Sequence, residues 1–241
     1  MELATVNLNL GHVERKFLYR KDTNDEGVIA HALKNSAYDL GRLRRAKEIF
    51  DLYDRLVRAD KAPLIIDAAA NIGASTVYFA LAFPKARLVA IEPEQKNFDL
   101  LAANTADLSV ECLHADVAAS TGVSNAADPG NPDRQTAAPD GSTKAAHSSA
   151  GVSINEIYQR NEQDTLPFIV KIDIERCRGK MFAANSEWID RTPIIIIQLN
   201  DCLISGTENS RAFVDCIAGR NRDFFYLYDN IFSIAREFKP N

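Results

Sequence analysis

A chain of 241 residues, 46% of them hydrophobic and 25% charged, has the composition of a globular protein and the length to bury a sizeable core. Its formal net charge of −5 argues against a general nucleic-acid binder, which needs a basic face. The N-terminus, MELATVNLNLGHVERKF, has no apolar signal region, and the longest strongly apolar run, Ile194 to Ile197, is far too short to span a bilayer.

In chain order, the segment from about Thr5 to Lys34 is weakly patterned and reads as a short strand or two and a helix start. From Gly41 to Ala59, Leu43, Ile49, Leu52, Leu56 and Val57 recur at helical spacing among charged residues, which predicts an amphipathic helix. Pro63 to Asp67 reads as a short apolar strand ending on a carboxylate, followed by a turn of small residues from Ala68 to Ser75. A helix over Ser75 to Phe83 stops at Pro84. A second strand, Arg87 to Ile91, ends at Glu92, a helix follows from Gln95 to Asn104, and Ser109 to His114 is a third strand. Alternating strands and helices predict a parallel sheet with helical crossovers.

From about 118 to 151 the composition shifts to Ala, Ser, Thr, Gly, Pro, Asp and Asn, which predicts a flexible loop, either disordered or a functional lid. Val152 to Tyr158 reads as a helix. Phe168 to Asp173 is a fourth strand, again ending on a carboxylate, with a helix expected around Gly179 to Asn185. Ile194 to Leu199 is a buried fifth strand with Asn200 and Asp201 at its carboxyl end. A helix over Asn209 to Ala218 precedes two closing strands, Phe224 to Tyr228 and Ile231 to Ile234; the first reads as buried rather than as an aromatic platform. The expected organisation is an N-terminal extension, 1–60, packed on a core domain, 61–241. The extension suits either an arm for a homodimer or a cover over substrate.

In an open parallel sheet, ligands bind at the carboxyl ends of the strands. Asp67, Glu92, Asp116, Asp173 and Asn200 with Asp201 fall at or just past those ends. Each alone reads as a cap or turn residue, but together they mark a site. A carboxylate at Glu92 suits both hydroxyls of a ribose. The turn AAANIGAS brings backbone amides and a helix N-terminus to the same place. In the register of a dinucleotide GxGxxG it carries Ala69, Asn71 and Ala74, which argues against NAD and allows a methionine-bearing cofactor.

The stretch PLIIDAAANIGASTVYFALAFPKARLVAIEPEQKNFDLLAANT resembles the first motifs of the FkbM-type S-adenosylmethionine-dependent methyltransferases, as do FIVKIDIE, EWIDRTPIIIIQL, NSRAFVDCI and NIFSI. The resemblance covers roughly Ala37 to Ile234 without the loop. It implies an α/β Rossmann-like methyltransferase fold, a mostly parallel seven-stranded sheet with helices on both faces. It also implies S-adenosylmethionine as cofactor and O-methylation of a hydroxyl on a sugar, lipid or secondary metabolite. By motif match, Asp67, Ala69, Asn71, Gly73 and Ser75 would line the methionine end, Glu92 would hold the ribose, and Asp116 would lie near the adenine. Asp173 and Glu175 would face the transferred methyl. The departures from the family pattern are Ala69 for a glycine, Arg176 to Arg178 after Glu175, Gln198, Asn200 in place of a histidine, and Tyr228 with Asp229 before Asn230. They cluster on the acceptor side. If the turn needs a positive φ at Ala69, a Cβ there costs on the order of 1 kcal/mol.

A hydroxyl acceptor needs its proton removed, and Asp173, Glu175 and Asp201 are the candidate bases. The histidines are not expected to serve. A divalent metal is the lesser alternative: Asp173 with Asn200 and Asp201 offers oxygen ligands that suit Mg²⁺ or Ca²⁺. Arg176, Arg178 and Lys180 read as a solvated helix face, or else as recognition of an acidic acceptor. Cys112, Cys177, Cys202 and Cys216 form no CxxC pair and read as isolated thiols of a reducing compartment, consistent with a cytoplasmic protein. Three functions stay open: an O-methyltransferase, a cofactor-binding protein that has lost catalysis, and an NAD-type enzyme disfavoured by the turn.

Overall fold

The computed structural model describes residues 2–10, 13–120, 122–123, 150–173, 180–182, 184–198 and 209–238. Seven strands form one sheet: β3 (Ala62–Ala68), β4 (Arg87–Ile91), β5 (Val110–Leu113), β9 (Thr165–Asp173), β10 (Ile194–Gln198), β11 (Arg222–Leu227) and β12 (Asn230–Ala235). Their order is β11-β12-β10-β9-β3-β4-β5. The five from β10 to β5 are parallel, whereas β12 and β11 run antiparallel to their neighbours. This is the Rossmann-like, mostly parallel seven-stranded sheet that the sequence implies. The chain builds outward from β3 to β5 and then crosses back to β9, so the order reverses between β3 and β9.

The Ile-rich strand shows how the layers form. Ile194 and Ile196 point into one core with Ile49, Leu52 and Leu56 of helix α2 (Ala46–Arg58) and Val77 and Phe79 of helix α3 (Ala74–Ala82). Ile195 and Ile197 point into the other, with Ile157 of helix α5 (Ile154–Asn161), Trp188 of helix α6 (Trp188–Arg191) and Phe213 of helix α7 (Asn209–Ile217). Side chains alternate across a strand, so a strand covered on both faces is apolar throughout. Helix α4 (Gln95–Thr105) packs Leu101 against Ala70 and Ala90.

The N-terminal residues form an antiparallel hairpin, β1 (Leu3–Leu10) and β2 (Val13–Arg20), then helix α1 (Asp25–Ile29), which continues as a π-helix over Ala30–Lys34. Phe17 of β2 is fully buried in the same core as α2 and α3.

Several local expectations are corrected. Leu40–Arg42 is a 3-10 turn and α2 begins only at Ala46, after a non-helical stretch. Val152 belongs to a strand, β8 (Ala150–Val152), because Ser153 caps α5 by accepting the Glu156 amide at 3.2 Å. Of the helix expected around Gly179 to Asn185, residues 179 and 183 lie outside the described residues, and Lys180–Phe182 is a 3-10 turn. Strand β11 is an edge strand whose Phe224 and Tyr226 are exposed, Tyr226 by 73%, so it is not a buried strand. Of the loop expected at about 118–151, residues 121 and 124–149 lie outside the described residues. Its described ends pair in a small sheet of β6 (Asp116–Val117), β7 (Gly122–Val123) and β8. Cys112 and Cys216 are free thiols; Cys177 and Cys202 lie outside the described residues.

Candidate active site

The reversal point between β3 and β9 opens into a cleft of about 390 Å³, within the size range of small-ligand sites. Its floor is the turn after β3 and the carboxyl ends of β9 and β10, with Ala69, Ala70, Asn71, Ser75, Lys171, Asp173 and Gln198. Its roof comes from the N-terminal residues Asn24, Gly27, Val28, His31, Ala32 and Tyr38, and one wall from Asp229 of the β11–β12 turn.

The turn is built from left-handed residues at alternate positions: Ala69 at φ 61°, Asn71 at φ 55° and Gly73 at φ 90°. Asparagine and glycine adopt this conformation readily, but alanine is strained in it. The Ala70 amide is held by Ile91 O and the Gly73 amide by Ala70 O. Gly73 also answers a packing need, since a Cβ there would lie 2.9 Å from Leu101 Cδ1. It sits at the start of α3 with its open side toward α4.

Asp67 lies behind the turn and is only 1% exposed. Its Oδ2 accepts from Ser75 Oγ at 2.6 Å and Thr76 Oγ1 at 2.7 Å, tying β3 to the first turn of α3. Its Oδ1 lies 3.0 Å from Lys171 Nζ, and that ammonium also donates to Ala69 O at 3.2 Å. Strand register puts Asp67 opposite Lys171. Burial alone pulls the Lys171 ammonium down, but Asp67, Tyr38 and Asp173 together raise it, so it stays charged. Burial pushes the neighbouring Tyr38 hydroxyl up to about 12, which keeps it a neutral donor.

Glu92 is likewise buried. Its Oε2 accepts the Asn71 amide at 2.8 Å, and its Oε1 accepts from the Glu94 amide at 3.1 Å and Asn97 Nδ2 at 3.2 Å. Asp116 opens β6, beyond the third strand of the sheet, and is partly buried. Asn71 differs from both acids. Its side-chain Oδ1 is buried on the cleft floor and has no hydrogen-bond partner among the described residues.

On the far side of the cleft, His31 Nε2 lies 3.5 Å from Asp229 Oδ1 and 3.4 Å from Asn230 Nδ2. Asp229 also accepts from Gln198 Nε2, and Asn230 donates to Ala37 O at 3.2 Å. His31 stands in the π-helical stretch, a geometry common at functional sites, and packs edge-on against Tyr38. Register puts Gln198 beside Asp173.

Of the residues singled out in the sequence, the fold therefore gathers Ala69, Asn71, Ser75 and Asp173 on one cleft. It sets Asp67 and Gly73 behind the turn as its supports, holds Glu92 against the Asn71 amide, and leaves Asp116 to one side. Glu175, Asn200, Asp201, Arg176 and Arg178 lie outside the described residues. Among the described residues no cluster of histidine, cysteine and acidic side chains has the makings of a metal site, and no helix is long and apolar enough to cross a membrane. Sequence reasoning missed Lys171, His31 and Asp229. Lys171 had a signal, because a lysine inside the apolar run FIVKID breaks the pattern of a central strand and calls for a buried partner. His31 had none, since its partner is remote in sequence.

No protein-family model matches the chain, and no curated protein sequence matches it. Among solved structures, the chain is similar to an O-methyltransferase from Bacillus cereus in complex with SAH, at 16% identity and a TM-score of 0.44, over 87% of this chain and 91% of that one. It is also similar to a SAM-dependent methyltransferase from Agrobacterium tumefaciens, at 11% identity and a TM-score of 0.41, over 95% of this chain and 69% of that one. The match to monomeric WbdD, at 14% identity and a TM-score of 0.43, covers 80% of this chain and 41% of that one, so the chain spans about two fifths of that protein's length. Strand order and register by themselves give the chain its Rossmann-like seven-stranded sheet.

Proposed function

We propose that the protein is an S-adenosylmethionine-dependent methyltransferase of the FkbM type that O-methylates a hydroxyl on a sugar, lipid or secondary metabolite. The observation that carries this is Asn71. A left-handed residue at the point where the sheet order reverses lines the cleft, and its buried carbonyl oxygen has no partner among the described residues. A buried acceptor without a donor is costly unless a ligand supplies one. The ammonium of the cofactor's methionine part is such a donor.

In this reading Ala69, Asn71, Ser75 and Asp173 hold the methionine end, Glu92 faces the ribose and Asp116 lies toward the adenine. Asp67 and Gly73 act from behind: the Asp67–Lys171 pair ties β3 to β9, and Gly73 lets α3 start against α4. When bound, the cofactor supplies a methyl group on a sulfonium, and the protein aligns the acceptor with it. His31 takes the acceptor's proton, with Asp229 holding the ring. Its Nε2 faces that carboxylate, and its other ring nitrogen has no partner among the described residues. Asp173, Glu175 and Asp201 remain the acidic candidates for the same step. The N-terminal extension roofs the cleft and is part of the site.

The test is calorimetric titration with S-adenosylmethionine and S-adenosylhomocysteine, with an Ala69→Gly variant alongside. Micromolar binding by the wild type supports the proposal and directs effort to a screen of hydroxyl acceptors. Binding by the variant alone points instead to a degenerate pocket that has lost function. The strain at Ala69 is what favours that second reading. No binding by either protein overturns both.

A further inference from the structure

Two polar bridges join the N-terminal hairpin to the turn after β3. In the first, Asn104 of α4 accepts the Leu18 amide at 2.7 Å, donates to Leu18 O at 3.0 Å and donates to Ile72 O at 2.9 Å. In the second, Arg20 forms a two-pronged pair with Asp25, at 2.8 Å on each prong, and also donates from Nη2 to Asn97 Oδ1 at 2.7 Å. Asn97 in turn donates to Glu92 Oε1, and Glu92 Oε2 accepts the Asn71 amide. Asn97 and Glu92 are each 1% exposed.

The order of donors and acceptors in the second bridge is forced. A guanidinium only donates, whereas a carboxamide has one accepting and one donating end. Arg20 holds the Asn97 oxygen, so the Asn97 amino group must face Glu92. Without Arg20 the Asn97 oxygen loses its donor, and the amide is pinned at its amino end alone. Arg20 thereby sets the direction of a carboxylate that it does not touch.

We propose that Arg20 is a positioning residue of the ribose subsite, acting through Asn97 on Glu92, so that the N-terminal hairpin contributes to recognition of the cofactor's sugar. The inference rests on the methyltransferase proposal.

The experiment compares binding of S-adenosylhomocysteine and its 2′-deoxy analogue by calorimetry. The wild type should prefer the 2′-hydroxyl by roughly tenfold or more, the worth of a hydrogen bond to a charged group. The double variant Arg20→Met/Asp25→Asn, which leaves no orphaned charge, should bring the ratio near one. Asn97→Leu should do the same with Arg20 intact, and it carries the test if the double variant does not fold. The double variant Arg15→Met/Asp107→Asn removes another tie of the same hairpin without touching Asn97 or the turn after β3, and should keep the preference. A preference retained in the Arg20 and Asn97 variants, or lost equally in the Arg15 variant, overturns the inference. So does a wild type that binds S-adenosylhomocysteine with no 2′-hydroxyl preference. A wild type that binds neither compound overturns the methyltransferase proposal and this inference with it.

Discussion

The two ends of the sheet make an instructive contrast. At the amino ends of the strands a groove of about 610 Å³ runs between α2, α5 and the C-terminal residues, larger than the cleft of about 390 Å³ at the carboxyl ends. Yet among the described residues no buried side-chain polar atom lining the larger groove lacks a partner. Arg222 is buried there and donates to Ser233 Oγ at 2.8 Å, Ile189 O at 3.0 Å, Thr192 O at 2.9 Å, Pro193 O at 3.1 Å and Ser233 O at 2.8 Å. Burial pulls its guanidinium down to about 10, so it stays charged at neutral pH while serving the backbone. Arg220 is matched by Asp190 and Ser186. At the smaller cleft an acceptor is unmatched at Asn71, the backbone is strained at Ala69, and a histidine faces an acid. Volume does not mark the site. Unmatched polar atoms and strained backbone do.

The contrast can be broken in several ways, and the largest effect is expected at the cleft. Once an acceptor is found, His31→Gln should lower methyl transfer by roughly 10²- to 10⁴-fold, the range for loss of a general base. Affinity for S-adenosylhomocysteine should hold. An unchanged rate in a turnover assay would move the role to Asp173.

Charge removal should separate the two ends next. Lys171→Met leaves Asp67 buried without its counter-ion and should destabilise the fold by about 3–5 kcal/mol in urea unfolding. Adding Asp67→Asn should recover a large part of that loss. Arg222→Met strands several buried carbonyls and should cost roughly 3 kcal/mol. It should leave cofactor affinity untouched, because it sits at the far end of the sheet.

Within the turn, two substitutions should act in opposite directions. Gly73→Ala adds a Cβ against Leu101 at a positive φ and should destabilise by about 2 kcal/mol. Ala69→Gly relieves a left-handed alanine and should stabilise by about 0.5–1 kcal/mol. Equal and small effects at both positions would mean that the turn is not under the strain its dihedral angles describe.

The smallest effect concerns pH. Burial raises the Asp25 carboxyl, but its bonds to Arg20 outweigh this and hold it below its ordinary value of 3.8. A group lowered in the folded state adds stability above its unfolded pKa and loses it as pH falls through the folded one. Acid unfolding below about pH 4 should therefore carry a contribution from Asp25 that is absent in Asp25→Asn, read from stability at stepped pH.

Much of the architecture was legible from local pattern. Pro63 to Asp67, Arg87 to Ile91 and the run from Ile194 announce themselves because an apolar run of strand length between helical segments has few alternatives. The carboxylates at the strand ends were visible for the same reason. The part of the proposed site that escaped is carried by residues with no local signature: His31 in a weakly patterned stretch, Asp229 in a hairpin turn, and Arg20 at the end of β2.

The sequence by itself determined the central strands and the helices between them, the alternation that makes most of the sheet parallel, and the small-residue turn with its acids, since these follow from spacing along the chain. Tertiary structure alone decided what each polar group meets. It paired Asp67 with Lys171, folded Glu92 under Asn71 and Asn97, and brought His31 to Asp229 from opposite ends of the chain. Donor and acceptor partners are set by strand order and helix docking, which local pattern does not encode.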